Sequence, residues 1–218
     1  MSGTRRFSLI VFDMDGVLTD SSSCHARAFA DLWADIGLAD PPAYREIAGR
    51  PTDAVVREYA AALRPAEDDI LRWVRFKQVR AREYLSRTGA FPDVLPTVTA
   101  LARRGFPMAL GTGASRQTAR QLLDQAGLTS FFPVIVTGDD VAQGKPAPET
   151  FALAIERAGG IPGSSLVIED SAAGLASALA AGAYAASVRT DERTDHPRFI
   201  GSFPDLDALL PVILESTP

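Results

Sequence analysis

The chain has 218 residues, of which 46% are hydrophobic and 22% charged, and its 22 basic and 27 acidic side chains leave a net charge of −5. That length carries one large domain, or one domain with an insertion, without disulfides or a structural metal. The acidic balance excludes a general nucleic-acid footprint. The single cysteine, Cys24, excludes an intrachain disulfide and a Cys-rich zinc centre and fits a reducing cytoplasm, the expected location.

The first apolar run, over 8–12, is too short for a signal peptide and stops at Asp13. It is the first of five predicted strands, followed by 107–110, 134–136, 166–168 and 184–188. Predicted helices lie between and after them, near 94–104, 115–127, 148–159, 171–181 and 205–215. The uncharged stretch 171–188 is long enough for a membrane span. Its Ala, Gly and Ser have little drive to enter hydrocarbon, so it is expected to be a packed helix followed by a strand, and no membrane is expected as a partner. Alternation of apolar strands with helices predicts an α/β fold, a Rossmann-like doubly wound parallel sheet. From 21 to 89 the alternation stops, and only helical patterns occur, at 22–36, 43–48, 53–63 and 67–86. Turn signals bracket them at 19–23 and 88–92. The expected organisation is therefore a core of 1–20 and 90–218 with an inserted α-helical cap subdomain, 21–89.

Four strand ends carry chemistry. The first strand runs into Asp13-Met14-Asp15-Gly16. Two carboxylates two residues apart would share a face about 7 Å apart in continued β geometry. Ionised together they need a cation, and oxygen ligands favour Mg²⁺ over zinc or copper. The plainer alternative is a solvated acidic loop. The second strand ends in Gly111-Thr112-Gly113 before a helix, where Thr112 offers a hydroxyl, Gly113 allows close backbone approach and a helix N-terminus suits phosphate. Its Gly-x-Gly-x-x-Arg spacing lacks the third glycine of a dinucleotide fingerprint. The third end leads to Gly144-Lys145-Pro146-Ala147-Pro148. Two prolines hold Lys145 on a stiff loop, where it would neutralise phosphate or a carboxylate; the alternative is a solvated lysine. Here Pro146 stands where a P-loop requires Ser or Thr. The fourth end presents Glu169-Asp170-Ser171. All four ends of a parallel sheet point the same way, toward the ligand-binding edge.

The motifs Phe12-Asp13-Met14-Asp15-Gly16-Val17-Leu18, Gly144-Lys145-Pro146-Ala147-Pro148-Glu149 and Glu169-Asp170-Ser171 resemble those of the haloacid dehalogenase superfamily of phosphotransferases. The similarity is to its branch with a helical cap after the first motif, which includes phosphoglycolate phosphatase and β-phosphoglucomutase, and it covers nearly the whole chain. Dehalogenases normally lack the second aspartate, so Asp15 favours phosphoryl transfer. The resemblance implies Asp13 as nucleophile and Asp15 as general acid and base. It implies Mg²⁺ held by Asp13, the Asp15 backbone carbonyl and Asp170, with Glu169 at or behind the ion, and phosphate held by Thr112, Gly113 and Lys145.

In the expected cap, His25 falls on the apolar stripe of its helix and Lys77 on a later one, at distances where β-phosphoglucomutase-like sequences present a histidine and a lysine to the active site. The alternatives are a core histidine and a snorkelling lysine stem. The basic run Arg72–Arg87 is a solvated face or an attractor for anions. In mutases of this family an arginine three residues after the loop glycine binds a distal phosphate. Three residues after Gly49 stands Thr52, and Arg50 is out of register. The expected function is thus Mg²⁺-dependent hydrolysis of a small phosphorylated metabolite. A sugar-phosphate mutase and a non-catalytic phosphate-binding module are the alternatives.

Overall fold

The computed structural model describes residues 6–48 and 50–215; Met1–Arg5, Gly49 and Ser216–Pro218 lie outside the described residues. Six parallel strands form one sheet: β1 (Leu9–Phe12), β2 (Met108–Gly111), β3 (Val134–Val136), β4 (Ser165–Glu169), β5 (Tyr184–Val188) and β6 (Phe199–Phe203), in the order β3-β2-β1-β4-β5-β6. β1 therefore lies between β2 and β4, with Val11 opposite both Ala109 and Val167.

Side chains alternate across a strand, and the two faces of this sheet divide the core accordingly. Ile10 and Phe12 of β1 join Leu110, Leu166 and Ile168 under α5 (Val94–Arg103), α6 (Arg116–Gln125) and α9 (Leu206–Glu215). Leu9 and Val11 face the other way, joining Ala109, Val136 and Val167 under α7 (Glu149–Arg157) and α8 (Ala172–Ala180). Burial on both faces is why these strands read as unbroken apolar runs rather than alternating ones. The stretch 171–188 is α8 followed by β5, as its small residues led us to expect. Among the described residues, no helix is long and apolar enough to cross a membrane.

Between β1 and α5 come only helices: α1 (Ser21–Asp35), α2 (Tyr44–Ile47), α3 (Thr52–Tyr59) and α4 (Glu67–Leu85), with a short 3₁₀ turn at Ala61–Leu63. They bury a cluster of their own, including Phe29, Trp33, Ile47, Val55, Ile70 and Trp73. Phe29 and Trp33 stack with centroids 5.5 Å apart. The two connections to the sheet run side by side. Thr19 and Ala90 form an isolated antiparallel bridge, and Phe91 N–H donates to the Leu18 carbonyl at 3.1 Å. Just beyond, Arg189 at the end of β5 donates to Asp93 Oδ2 at 2.6 Å, and that carboxylate also accepts the Leu206 N–H at 2.7 Å. The chain leaving the helices is thereby tied to β5 and α9.

The sequence reading contains no strand at 199–203. β6 is an edge strand of half-buried residues, interrupted by Gly201 and paired to β5 through a register shift at Ala185/Ala186. A short edge strand with a glycine has neither the apolar run nor the alternation that marks a strand in sequence.

Candidate active site

β1 stops at Phe12, and Asp13 N–H continues the ladder only as far as the Ile168 carbonyl, at 2.9 Å. The chain then turns: Leu18 and Thr19 N–H both donate to the Met14 carbonyl, and Gly16 adopts φ +82°. Continued β geometry over Asp13–Asp15 is therefore not what forms. The turn buries the Asp13 side chain and leaves Asp15 part-exposed in a different setting.

Lys145 Nζ donates to Asp13 Oδ1 and to Glu169 Oε1, both at 2.6 Å, with all three residues buried. The lysine is fixed from behind. Its Nζ lies 4.4 Å from the Phe151 ring centroid, and the Ser177 hydroxyl of α8 donates to the Ala147 carbonyl at 2.6 Å, pinning the proline loop. Burial works against the ammonium charge, but Asp13 and Glu169 outweigh it and hold the Lys145 pKa above the usual range. Glu169 is fully engaged: its Oε2 accepts Asp170 N–H at 2.9 Å, Ser171 N–H at 3.0 Å and the Ser171 hydroxyl at 2.9 Å. Gly174 makes this possible, because a Cβ there would fall 1.8 Å from the Glu169 carboxyl.

Asp13, Glu169 and Asp170 each offer a carboxylate oxygen within 4.8 Å of the others. One lysine does not balance three acids. Burial, and then the neighbouring carboxylates, push both Asp13 and Asp170 well above the usual carboxylate range despite Lys145. An oxygen-only donor set with surplus negative charge suits a hard divalent cation. Glu169 Oε2 is taken up by three donors, and its Oε1 is shared with Lys145. The Asp15 carboxylate lies outside this group.

Asp15 instead faces α1 and α4. Its Oδ1 accepts a short hydrogen bond from the Ser21 hydroxyl and lies 3.9 Å from His25 Nε2. Lys77 Nζ lies 2.9 Å from His25 Nδ1. Burial, reinforced by the Lys77 charge, lowers the His25 pKa far enough to keep the ring neutral. A neutral ring accepting from Lys77 at Nδ1 carries its proton on Nε2, toward Asp15. Lys77 does not snorkel: it is buried, with Nζ 4.5 Å from the Phe29 ring centroid. Burial brings its pKa down to about 8, with the Asp15 charge opposing the shift.

Thr112 is completely buried, and its Oγ1 accepts the Ala114 N–H at 3.0 Å. Gly113, Ala114 and Ser115 line the cleft in front of it. The N-terminus of α6 is partly satisfied by the protein itself: Arg116 N–H donates to Asp139 Oδ2 at 2.8 Å and Thr118 N–H to Ser115 Oγ at 3.3 Å. Gly113 is exposed at the cleft, where backbone can approach a phosphate closely.

The cleft between these strand ends and the helices has a volume of about 750 Å³. Asp13, Asp15, Lys145, Glu169 and Asp170 lie on one wall, His25, Arg50 and Lys77 on the other. Arg50 reaches the cleft while paired with Glu58. The basic run of α4 is mostly a solvated face: Arg72 pairs with Asp69 and Arg80 with Asp31 and Glu83, while Arg82 lines the cleft. Ser21, Ser22 and Tyr44 were not among the expected site residues. The serines sit in a run that reads simply as a turn, and a single tyrosine in a four-residue helix leaves no periodic signal.

A family model described as haloacid dehalogenase-like hydrolase matches residues 7–182. The chain is 34% identical over 189 residues to fructose-1-phosphate phosphatase YqaB of Escherichia coli (strain K12), covering 84% of this chain and 97% of that protein. It is 32% identical over 188 residues to hexitol phosphatase A of the same organism, covering 86% and 85%. Among solved structures it is similar to CbbY from Rhodobacter sphaeroides in complex with phosphate, with a TM-score of 0.77 and 25% identity over 93% of this chain and 96% of that one.

Proposed function

The chain belongs to the haloacid dehalogenase-like hydrolases, and from that premise we propose that it hydrolyses the phosphoric monoester of a small sugar or polyol, using Mg²⁺ and Asp13 as nucleophile. One observation carries the reading: Lys145 holds the buried Asp13 carboxylate at 2.6 Å inside an acidic group at the end of β1. The named substrates of its relatives, fructose 1-phosphate and a hexitol phosphate, supply the substrate class.

The residues divide the work. With one oxygen fixed by Lys145, Asp13 presents the other to phosphorus and forms an aspartyl-phosphate as the ester oxygen leaves. Asp15 gives that oxygen a proton, then takes one from the water that attacks the aspartyl-phosphate, releasing inorganic phosphate and restoring Asp13. The neutral His25, steadied by Lys77, keeps an N–H directed at Asp15. Lys145 and the backbone at Gly113 hold the phosphoryl oxygens in place, and such positioning supplies most of the catalysis in phosphoryl transfer. Asp13, Asp170 and the Asp15 backbone carbonyl would hold Mg²⁺, which when bound offsets the negative charge of acids and substrate. Helices α1–α4 act as a cap over this cleft, spanning 21–89. The mutase reading is weaker here because Thr52 stands where the family's mutases carry the arginine for a distal phosphate.

The test is phosphate release from a panel of sugar and polyol monophosphates, phosphoglycolate and an aryl phosphate. Wild type and Asp13→Asn are compared, with Mg²⁺ and with a chelator. Wild type with Mg²⁺ releases phosphate fastest from a sugar or polyol phosphate, while the chelated enzyme and the folded variant release none above background. An active Asp13→Asn variant would remove Asp13 from the nucleophile's role. Isomerised substrate without free phosphate would establish the mutase.

A further inference from the structure

The loop between α2 and α3 carries an arginine that the chemistry above does not use. Arg50 lines the cleft, directly before Pro51 and the start of α3. Its Nη2 is paired with Glu58 Oε2, near the far end of that helix. The basic neighbour of Glu58 does not compete for it, because Arg57 Nη1 donates to Glu67 of α4 at 2.8 Å. Glu58 itself stands outside the cleft lining.

With side chains 30% and 54% exposed, the pair contributes little to stability. Its effect is on the cleft. A guanidinium at a ligand-binding cleft is a ready holder of a carboxylate or a second phosphate. Paired with Glu58, Arg50 offers a distal anion a compensated charge, and an anion that approached it would meet the Glu58 carboxylate as well. The rest of the lining adds no surplus of positive charge. Apart from the acidic group, Asp15, His25 and the two lysines, the charged side chains lining the cleft among the described residues are Arg50, Asp53, Arg82 and Asp139. Once Arg50 is balanced, two acids remain against one cation. Gln78 and Gln117 also line the cleft, and their amides both donate to and accept from hydroxyls.

We propose that Glu58 is a specificity-determining residue. By holding Arg50 it keeps the cleft from rewarding a second anionic group on the substrate, so that the monoester of a neutral sugar or polyol is preferred to one that also carries a carboxylate. The inference rests on the phosphatase reading above and deepens it, by giving a physical reason for the substrate class. Selectivity of this kind comes from withholding a contact and placing a like charge beside it, rather than from adding an attraction.

Glucitol 6-phosphate and 6-phosphogluconate differ only at the carbon farthest from the phosphate, a hydroxymethyl in one and a carboxylate in the other. Phosphate release from each is measured for wild type, Glu58→Gln, and Glu58→Gln combined with Arg50→Gln. Calorimetric binding of each compound to the same proteins carrying Asp13→Asn reads the inference without turnover. Wild type should favour glucitol 6-phosphate. Glu58→Gln should raise kcat/KM and affinity for 6-phosphogluconate, relative to glucitol 6-phosphate, by roughly tenfold, the worth of one freed hydrogen bond to a charged group. Adding Arg50→Gln should remove that gain. An unchanged ratio in Glu58→Gln would overturn the inference. So would a gain that survives Arg50→Gln, since loss of the Glu58 charge alone would then explain it. A wild type that prefers 6-phosphogluconate would overturn it too. If no protein releases phosphate yet the calorimetric gain appears and depends on Arg50, the proposed function falls and this inference stands.

Discussion

Lys145 and Asp13 meet through a 2.6 Å hydrogen bond across 132 residues of sequence, and the same ammonium holds Glu169 at 2.6 Å. This lysine is the only positive charge set directly on the acidic group among the described ion pairs. Its removal has consequences for rate and for stability, and the two can be measured separately.

Lys145→Met should lower kcat by about 100- to 1,000-fold, the usual cost of losing one fixed charge from a transition state. It should also cost about 3–5 kcal/mol of stability near pH 8, because it strands buried carboxylates. Those acids already have raised pKa values in the folded protein. An acid with a raised folded pKa destabilises the fold once ionised, so the variant should recover stability as pH falls from 8 toward 5. Urea denaturation at several pH values, with and without Mg²⁺, reads the effect, and a loss that is independent of pH would contradict it.

Lys77 carries the opposite sign. Its folded pKa of about 8 lies below its ordinary value of 10.5, chiefly through burial, so the charged lysine burdens the fold at pH 7. That burden fades as pH rises through 8, where the folded protein releases a proton that the unfolded chain still holds. Lys77→Met should therefore raise stability at pH 7 by at most about 3 kcal/mol, with the gain shrinking toward pH 10. Turnover should fall at least about tenfold as His25 loses its partner beside Asp15. A variant that is both less stable and fully active would refute both halves.

Gly16 serves the site by having no side chain. At φ +82° an L-residue is strained by about 1–2 kcal/mol, and a Cβ there would lie 1.9 Å from Asp170 Oδ2. Gly16→Ala should leave a folded protein with a modestly lower melting temperature and severely weakened Mg²⁺ binding. Gly37, also at positive φ but with open space around its Cβ position, is the control: Gly37→Ala should show the strain alone. Equal Mg²⁺ affinity in the two variants would show that Asp170 is not crowded at Gly16.

Sequence discloses what is repeated or polarised. β1 to β5 are legible because strands covered on both faces must be apolar throughout, and each is followed by a turn or helix signal. Asp13 and Glu169 are legible because charged residues at the ends of buried strands are rare unless something holds them, and Lys145 because it stands on a stiff proline loop. β6 is not, since an edge strand with Gly201 buries little. Thr112 illustrates a subtler limit: its place at the end of β2 is evident from sequence, but the Ala114 N–H that its oxygen accepts is a local backbone matter. Asp15 and Asp13 are two residues apart in either account, and only the turn at Gly16 sends their carboxylates to different partners. Ser22 and Tyr44 gain their meaning from tertiary approach, and no local pattern marks them.

The strand order has a consequence for a chain still being made. Asp13 leaves the ribosome before its companions, and β1 gains its second neighbour, β4, and the other acids of the group only once residues 165–170 have been synthesised. Lys145 follows the first aspartate only after two further strands. A truncated product therefore carries a lone carboxylate with neither its counter-charge nor a place for an ion. A chain that stops before residue 165 cannot assemble the group of Asp13, Glu169 and Asp170 on which the proposed reaction depends.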